Sequence, residues 1–269
     1  MRARLRHLLD TVIQYASLVT FAAICLSWSL VALPLLLVLP ARAGERCGRL
    51  GIRWGFRLYI GSLRRMGIYR LDLTGLRALR HGPPLVLAPN HPSLIDALMI
   101  IAHEPRVACV MKPSLMSNLL IGPGARLARY IPSTPTRRMI HEAVAELRRG
   151  GIVLLFPEGT RTTRAPINAL QAGVGIIARQ AGMPVQTLII ETDSPLLSKG
   201  WSPLRPGSFP VSYRMRLGRR FDAPGDVRDF MAELDRYYRA ELAHAAQNEW
   251  IEARPPAAAR PKPGPLPSA

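Results

Sequence analysis

The chain has 269 residues and a mass of 29.7 kDa, and its 36 basic side chains against 18 acidic ones give a formal net charge of +18. This length suits one domain with a substantial core. The charge favours a polyanion or an anionic surface as partner, but no zinc-ligand spacing or aromatic RNA-binding motif is present, so we expect no nucleic acid. The three cysteines are too few and too widely spaced for a disulfide framework or a metal site.

The first predicted element is an uncharged apolar segment. No Asp, Glu, Lys or Arg occurs from Thr11 to Ala41, and residues 17 to 39 are mostly aliphatic. About 20 such residues are enough to cross the hydrocarbon core of a bilayer, so we predict a membrane anchor. Pro34 and Pro40 interrupt its far end. Three alternatives stay open: a spanning helix, a re-entrant helix that enters one leaflet and turns back, and the buried helix of a soluble protein.

A basic amphipathic stretch follows at residues 45 to 66. Its arginines recur near helical spacing, and apolar side chains fill the remaining positions. Such a helix lies well at an anionic membrane surface, although the pattern also fits a helix that packs on the protein core. Because more basic residues follow the apolar segment than precede it, we expect a cytoplasmic (inner) membrane location with the rest of the chain facing the cytoplasm. Residues 1–66 are therefore assigned to the anchor and interfacial helix.

Residues 67–254 alternate between strand-like runs and helical patterns. Strands are predicted at 85–89, 106–111, 152–156, 184–191 and 208–217, with helices near 93–102, 136–149, 168–181 and 226–250. The alternation predicts an α/β fold, a single domain with a largely parallel central sheet flanked by helices. Residues 255–269 are rich in proline and alanine, which predicts a disordered tail.

A histidine and an aspartate, His91 and Asp96, follow the first of these strands. An imidazole can take up a proton near neutral pH, and a carboxylate on its other nitrogen fixes its tautomer and stabilises its charged form. If a helix begins at Pro92 or Ser93, Asp96 lies about one turn inside it and can face back toward the imidazole. The alternative is a chance neighbour, since the chain has six histidines.

A second polar cluster, Phe-Pro-Glu-Gly-Thr-Arg at Phe156 to Arg161, ends the strand at 152–156. Glycine lets backbone approach a ligand closely, and arginine offers a planar fork of donors suited to a phosphate or a carboxylate. Ligands collect beyond the carboxyl ends of strands in open α/β sheets. Both polar clusters follow strands, so the sequence predicts one shared site. The alternative is an ordinary turn with a solvated ion pair.

The two clusters, in this order, resemble the glycerolipid acyltransferase family, which includes bacterial 1-acyl-sn-glycerol-3-phosphate acyltransferases. Its first motif is a histidine and an aspartate separated by four residues, as at His91 and Asp96, and its third is matched without gaps at Phe156 to Arg161. The resemblance covers residues 80 to 220. It implies a membrane-bound enzyme that moves a fatty acyl group from the thioester of acyl-CoA or acyl carrier protein to a lysophospholipid hydroxyl. The implied acceptor is 1-acyl-sn-glycerol-3-phosphate, which would give phosphatidate.

The resemblance also implies roles for individual residues. His91 would be the general base and Asp96 its orienting partner. The head group of the acceptor would be held by the third motif and by an arginine that serves the second. The implied substrate-binding residues are Glu158, Gly159, Thr160, Arg161, Arg137 and Arg138. Acyl transfer from a thioester needs a positioned hydroxyl, a base and stabilisation of the oxyanion, so we expect neither a cofactor nor a metal.

Two departures from the family pattern concern the acceptor. Residues 133 to 136 intervene between an Ile-Pro pair and Arg137, and Gln171 stands where family members often have a lysine. Two alternatives therefore stay open. One is the same O-acyl transfer to another lipid-like acceptor, such as an aminolipid or a polyene pigment. The other is a non-catalytic basic protein of the membrane surface.

Overall fold

The structure is a computed structural model, and it describes residues 2–79 and 82–247. Two long helices begin the chain, and alternating strands and helices follow them. The elements are α1 (Arg2–Val38), α2 (Ala41–Arg65), β1 (Tyr69–Asp72), a 3-10 helix (Thr74–Leu79), β2 (Leu85–Pro89), α3 (Asp96–His103), β3 (Val107–Met111), α4 (Pro113–Met116), α5 (Gly122–Leu127), β4 (Ile131–Pro132), α6 (Thr136–Arg148), β5 (Ile152–Leu154), α7 (Gly173–Ala181), β6 (Val185–Thr192), β7 (Val211–Phe221) and α8 (Val227–Gln247). The tail predicted at 255–269 lies outside the described residues.

The strands form one seven-stranded sheet in the order β1-β7-β6-β2-β5-β3-β4. The five strands from β6 to β4 are mutually parallel. Strand β7 runs antiparallel to β6 and pairs in parallel with β1. The α/β fold with a largely parallel sheet, predicted from the alternation of apolar runs, is confirmed.

The central strands are buried on both faces, which explains why their sequences are continuously apolar. In β2, Leu85 and Leu87 belong to the hydrophobic cluster that α2 and α3 cover. Val86 and Ala88 belong to the cluster on the opposite face, under α6, α7 and α8. Every residue of β2 is buried.

Two helices begin later than their sequence patterns suggest. Helix α3 begins at Asp96 and not at residue 93, and α7 begins at Gly173 and not at residue 168. The residues ahead of each helix give their backbone N–H groups to carboxylates: Ser93 donates to Asp96 at 2.8 Å, and Asn168 donates to Glu158 at 2.9 Å. These carboxylates belong to the two polar clusters, so the shortened helices leave room for turns that shape the candidate site.

Helix α1 lies along the domain for most of its length. Near one end the Gln14 amide donates to the Pro203 carbonyl at 3.1 Å, and near the other Ser29 donates to the Leu120 carbonyl at 2.8 Å. The ring of Trp28 fills the space beside Gly124 of α5, where an added Cβ would lie 2.7 Å from the ring. Among the described helices, residues Arg4–Val38 alone are long and apolar enough to cross a membrane, by length and composition only.

Helix α2 pairs with α1 and has two unlike faces. Tyr59, Ile60 and Leu63 are buried in the domain core. Trp54 and Leu58 keep 61% and 60% of their surface exposed. The alternative of a helix that packs on the core therefore describes one face of α2, while the other face presents apolar side chains outward.

Candidate active site

The two polar clusters lie side by side because the strands that precede them are neighbours. Strand β2 pairs in parallel with β5, with Leu87 opposite Leu154. Residues 90 and 91 therefore emerge at the same sheet edge as residues 156 to 158. This is the edge at which parallel α/β sheets hold their ligands.

His91 and Asp96 form a hydrogen-bonded pair. The His91 Nδ1 and Asp96 Oδ2 atoms are 2.9 Å apart, and the same oxygen accepts the Ser93 backbone N–H at 2.8 Å. Asp96 has no exposed surface. Burial raises the pKa of the Asp96 carboxyl, and the hydrogen bonds from His91 and Ser93 oppose that shift. When the carboxylate is ionised, it holds the ring proton on Nδ1, which leaves a lone pair on Nε2.

The imidazole ring is held in place on one face by Phe156. The two ring centroids are 3.8 Å apart and the planes meet at 20°. The His91 side chain keeps 15% of its surface exposed. Within the described part of the chain, Nε2 has no hydrogen-bond partner. No described protein group therefore occupies the basic nitrogen.

Glu158 joins the two clusters. Its Oε1 accepts the backbone N–H of His91 at 2.9 Å and the Thr162 hydroxyl at 2.8 Å, and its Oε2 accepts the backbone N–H of Asn168 at 2.9 Å. The Thr162 N–H donates in return to the His91 carbonyl at 2.7 Å. Glu158 is 3% exposed. Both of its oxygens are thus occupied: Oε1 fixes the backbone of the histidine, and Oε2 fixes the loop after β5.

Arg161 reaches toward the loop that follows β6. Its Nη1 donates to the carbonyls of Leu197 and Ser198 at 2.8 and 2.9 Å. From the other side, the Ser93 hydroxyl donates to the Leu196 carbonyl at 3.0 Å. The loop therefore connects Arg161 with the turn between His91 and Asp96.

Comparison with known proteins concerns the family of the chain. A sequence profile of the acyltransferase family matches residues 70–191, a range that contains both polar clusters. Residues 70–191 are an acyltransferase domain. The resemblance to glycerolipid acyltransferases noted in the sequence is confirmed.

Individual family members are distant in sequence. The lysophospholipid acyltransferase LPCAT4 of Homo sapiens is 27% identical over 154 residues, 54% of this chain and 28% of that protein. The chain thus spans less than a third of LPCAT4. The 1-acyl-sn-glycerol-3-phosphate acyltransferase of Pseudomonas aeruginosa is 24% identical over 220 residues, 80% of this chain and 81% of the relative. The crystal structure of the 1-acyl-sn-glycerophosphate acyltransferase PlsC from Thermotoga maritima covers 94% of this chain and 99% of its own, with a TM-score of 0.69 and 18% identity, and shows a shared fold.

Three further residues of this acyltransferase-family site have contacts that were not anticipated from the sequence. The buried Asn90 side chain bonds both backbone groups of Ile190 in β6, at 2.9 and 2.7 Å. Phe156 stacks on the imidazole, and Asn168 gives its N–H to Glu158. Asn90 and Phe156 stand inside the polar clusters and could have been noted there. Asn168 carries no such signal, because its contact depends on the fold of the loop after β5.

The remaining predicted site residues lie at the rim of the same edge. Gly159 is exposed with a φ of +66°, a conformation that favours glycine, and Thr160 is half-buried. Arg137 and Arg138 begin α6 just after β4, and both are exposed. Arg138 pairs with Glu142 at 2.7 Å. No hydrogen bond between described residues joins either arginine to His91 or Asp96.

Two further observations concern cations. Lys112 is exposed directly after β3, the strand between β5 and β4, so it shares this edge. Over residues 2–79 and 82–247, no group of three or more His, Cys, Asp or Glu side chains is placed to hold a metal ion.

Proposed function

We propose that this protein is a membrane-bound acyltransferase that moves a fatty acyl group from a thioester to a lysophospholipid hydroxyl. The donor is acyl-CoA or acyl carrier protein, and the acceptor is 1-acyl-sn-glycerol-3-phosphate, which gives phosphatidate. The observation that carries the proposal is the 2.9 Å hydrogen bond between His91 and Asp96 at the ligand-binding edge of the sheet. The similarity to the Pseudomonas aeruginosa enzyme supports the choice of acceptor.

In this mechanism His91 is the general base. Its Nε2 takes the proton of the acceptor hydroxyl as that oxygen attacks the thioester carbonyl carbon. Asp96 keeps the other ring proton on Nδ1 and stabilises the imidazolium that forms. The tetrahedral intermediate then collapses, the carbon–sulfur bond breaks, and the leaving thiolate recovers the proton from Nε2. The base is regenerated, and the products are an ester and a free thiol.

The acceptor phosphate is assigned to the cations at the rim of the site. Arg161 uses Nη1 for two carbonyls, and its remaining guanidinium donors are suited to a phosphate. Arg137, Arg138 and Lys112 follow the neighbouring strands at the same edge. Lys112 could thus supply the positive charge that Gln171 does not, while Gly159 allows the acceptor to approach the backbone.

We assign α1 and α2 to one leaflet of the inner membrane as a helical hairpin, with the α/β domain (residues 67–254) on the cytoplasmic side. Helix α1 exposes apolar side chains over its whole length, among them Leu8, Val19, Leu30 and Leu37. Contacts of Gln14 and Ser29 with the domain support the re-entrant alternative, because a helix held along a domain cannot also cross the bilayer away from it.

The hairpin is tested with single cysteines introduced at Arg4 and at Lys199 in a variant without native cysteines. Both should react with an impermeant maleimide from the cytoplasmic face of membrane vesicles. Labelling of the Arg4 position only from the opposite face would show a spanning helix.

A second candidate acceptor is a lipid-like alcohol without a phosphate monoester, such as an aminolipid or a polyene pigment. The observation that favours it is Gln171, whose side chain lies beside Gly159 at the site rim.

Membranes that contain the protein would be given acyl-CoA or acyl carrier protein with each acceptor in turn, and thiol release would be followed. Release that depends on lysophosphatidate supports the leading proposal. Thiol release only with an uncharged acceptor would exclude lysophosphatidate as the acceptor, while the proposed acyl transfer from a thioester would still hold.

A further inference from the structure

A basic cavity lies outside the candidate active site, between α2, the segment after β1 and the end of α3. It has a volume of about 330 Å³, and its walls include Arg57, Arg64, Arg77 and His103. A smaller set of residues, Gly61, Arg64 and Arg65, lines an adjoining space on α2. We call the two together the α2 groove. Asp96 and His103 are the two ends of α3, so one wall of the groove is about 10 Å along the helix axis from the catalytic pair.

The arginines of the α2 groove, which include Arg57, Arg64 and Arg77, form no salt bridges with the side chains that the structure describes. The one acid in the wall, Asp72, accepts the Thr74 hydroxyl at 2.7 Å and lies 3.7 Å from Arg214. Three arginines around a cavity favour an anion with several acceptor oxygens, such as a phosphate group.

The side of α2 that carries the groove is also apolar. The Arg57 guanidinium lies 5.3 Å from the centroid of the Trp54 ring, so the groove begins where the exposed Trp54 and Leu58 surface ends. Positions 54, 57, 58, 61, 64 and 65 follow one another at the three- and four-residue spacing of a single helix face. A site for a soluble phosphate does not need exposed Trp and Leu beside it, whereas a phospholipid presents its phosphate next to its acyl chains. Trp is enriched at that interface.

We propose that the α2 groove binds the phosphate of a bilayer phospholipid, with the acyl chains of that lipid along Trp54 and Leu58. This lipid is a ligand distinct from the lysophospholipid acceptor at His91. The inference rests on the membrane association in the proposed function and makes it specific: the membrane is recognised through a phosphate site and not only through net charge.

Flotation of the full-length protein with vesicles tests this. The vesicles contain phosphatidylcholine with either phosphatidylglycerol or oleate, at the same surface charge. Wild type should prefer the phosphatidylglycerol vesicles. The Arg64→Gln and Arg77→Gln variants should each bind the phosphatidylglycerol vesicles at least about tenfold more weakly than wild type, as expected for lost charge-assisted hydrogen bonds. Arg46→Gln removes an exposed charge from the same helix outside the groove and should cost at most about fivefold. Equal losses for all three variants, or no preference over oleate, would overturn the phosphate site.

A variant that keeps every charge separates shape from charge. A Cβ atom added at Gly61 meets nothing within 4 Å, so Gly61→Ala should fold and bind as wild type does. Gly61→Phe places a ring in the groove and should abolish the preference for phosphatidylglycerol. Unchanged preference in Gly61→Phe, with its fold verified by thermal unfolding, would contradict a discrete site.

One control identifies the source of the phosphate, and a second separates the lipid site from the proposed acyltransferase function. Inorganic phosphate and CoA are titrated calorimetrically into the protein in detergent, and we expect no saturation that depends on Arg64. Such saturation, together with no preference among vesicles, would assign the groove to a soluble phosphate and overturn the lipid. Flotation is repeated with His91→Ala, which should bind as wild type does. If lysophosphatidate is not acylated but the groove variants still lose binding, the proposed function fails while the lipid site stands.

Discussion

The backbone N–H of His91 donates a 2.9 Å hydrogen bond to Oε1 of Glu158, 67 residues further along the chain. This bond joins the turn that contains His91 to the turn that contains Glu158. Glu158 also accepts hydrogen bonds from the Thr162 hydroxyl and the Asn168 backbone N–H. It therefore fixes the backbone of the histidine and that of the turn at the same time. The resemblance to the family implied that Glu158 holds the head group of the acceptor. From these contacts we propose a positioning role for Glu158, with head-group binding assigned to Arg161 and the rim in the proposed function.

Glu158→Gln tests this positioning role. A glutamine replaces one accepting oxygen by an amide donor, so at least one of the three donors loses its partner, at a cost of about 1–3 kcal/mol. We expect kcat to fall about tenfold or more while KM for lysophosphatidate changes little. Glu233→Gln, which alters an exposed pair with Arg219 on the outer surface, is the matched control. A raised KM with unchanged kcat would instead place Glu158 on the acceptor.

Asp96→Asn should separate activity from stability. Because burial raises the pKa of Asp96 in the folded protein, the ionised carboxylate disfavours folding, and this cost grows as pH rises above the ordinary value of 3.8. At neutral pH the free energy of unfolding of the variant should therefore be higher than that of wild type. The difference should shrink as pH falls and the wild-type carboxyl becomes protonated. Acyl transfer should fall by about 10²-fold or more, since Nδ1 of His91 loses its anionic partner.

Denaturant unfolding in detergent at several pH values measures the first effect, and thiol release measures the second. An Asp96→Asn variant that is less stable than wild type at neutral pH would show that the ion pair with His91 outweighs the cost of burial. Retained activity would show that the carboxylate does not orient the base.

Arg161→Ala should affect the charged acceptor selectively. The side chain touches two carbonyls of the loop after β6, and its other donors are assigned to the phosphate. We expect KM for lysophosphatidate to rise about tenfold or more, as for the loss of a charge-assisted hydrogen bond, and KM for monoacylglycerol to rise much less. Arg164→Ala, an exposed arginine three residues away, should change neither value. Equal effects on both acceptors would limit Arg161 to holding the loop.

The parts of the fold and site that sequence could predict are those with a local signal. The strand Leu85–Pro89 is recognisable because burial on both faces makes it continuously apolar. The pairing of His91 with Asp96 was predictable because the residues are only five positions apart, although the helix begins at Asp96 and not at residue 92 or 93 as the prediction assumed. The joint site followed from the rule that strand ends of a parallel sheet meet at one edge.

The parts that could not be predicted depend on loops and on long-range packing. The contacts of Arg161 with Leu197 and Ser198 are set by the path of a loop with no periodic pattern. Strand β7 alternates apolar and polar residues from Val211 to Leu217, as is typical of an antiparallel strand with one exposed face, but this alternation does not show which strands it pairs with. The path of α1 along the domain depends on small residues such as Gly51 and Gly124, which make room for Trp28, and an apolar run does not reveal them.

The most direct test of the central claim is the rate of thiol release from acyl-CoA with lysophosphatidate, measured for wild type and His91→Ala. His141→Ala, at an exposed histidine of α6, is the matched control. If His91 is the general base, its loss should lower kcat by about 10²–10⁴-fold, while the control keeps the wild-type rate. A His91→Ala protein that folds and releases thiol at the wild-type rate would contradict the account.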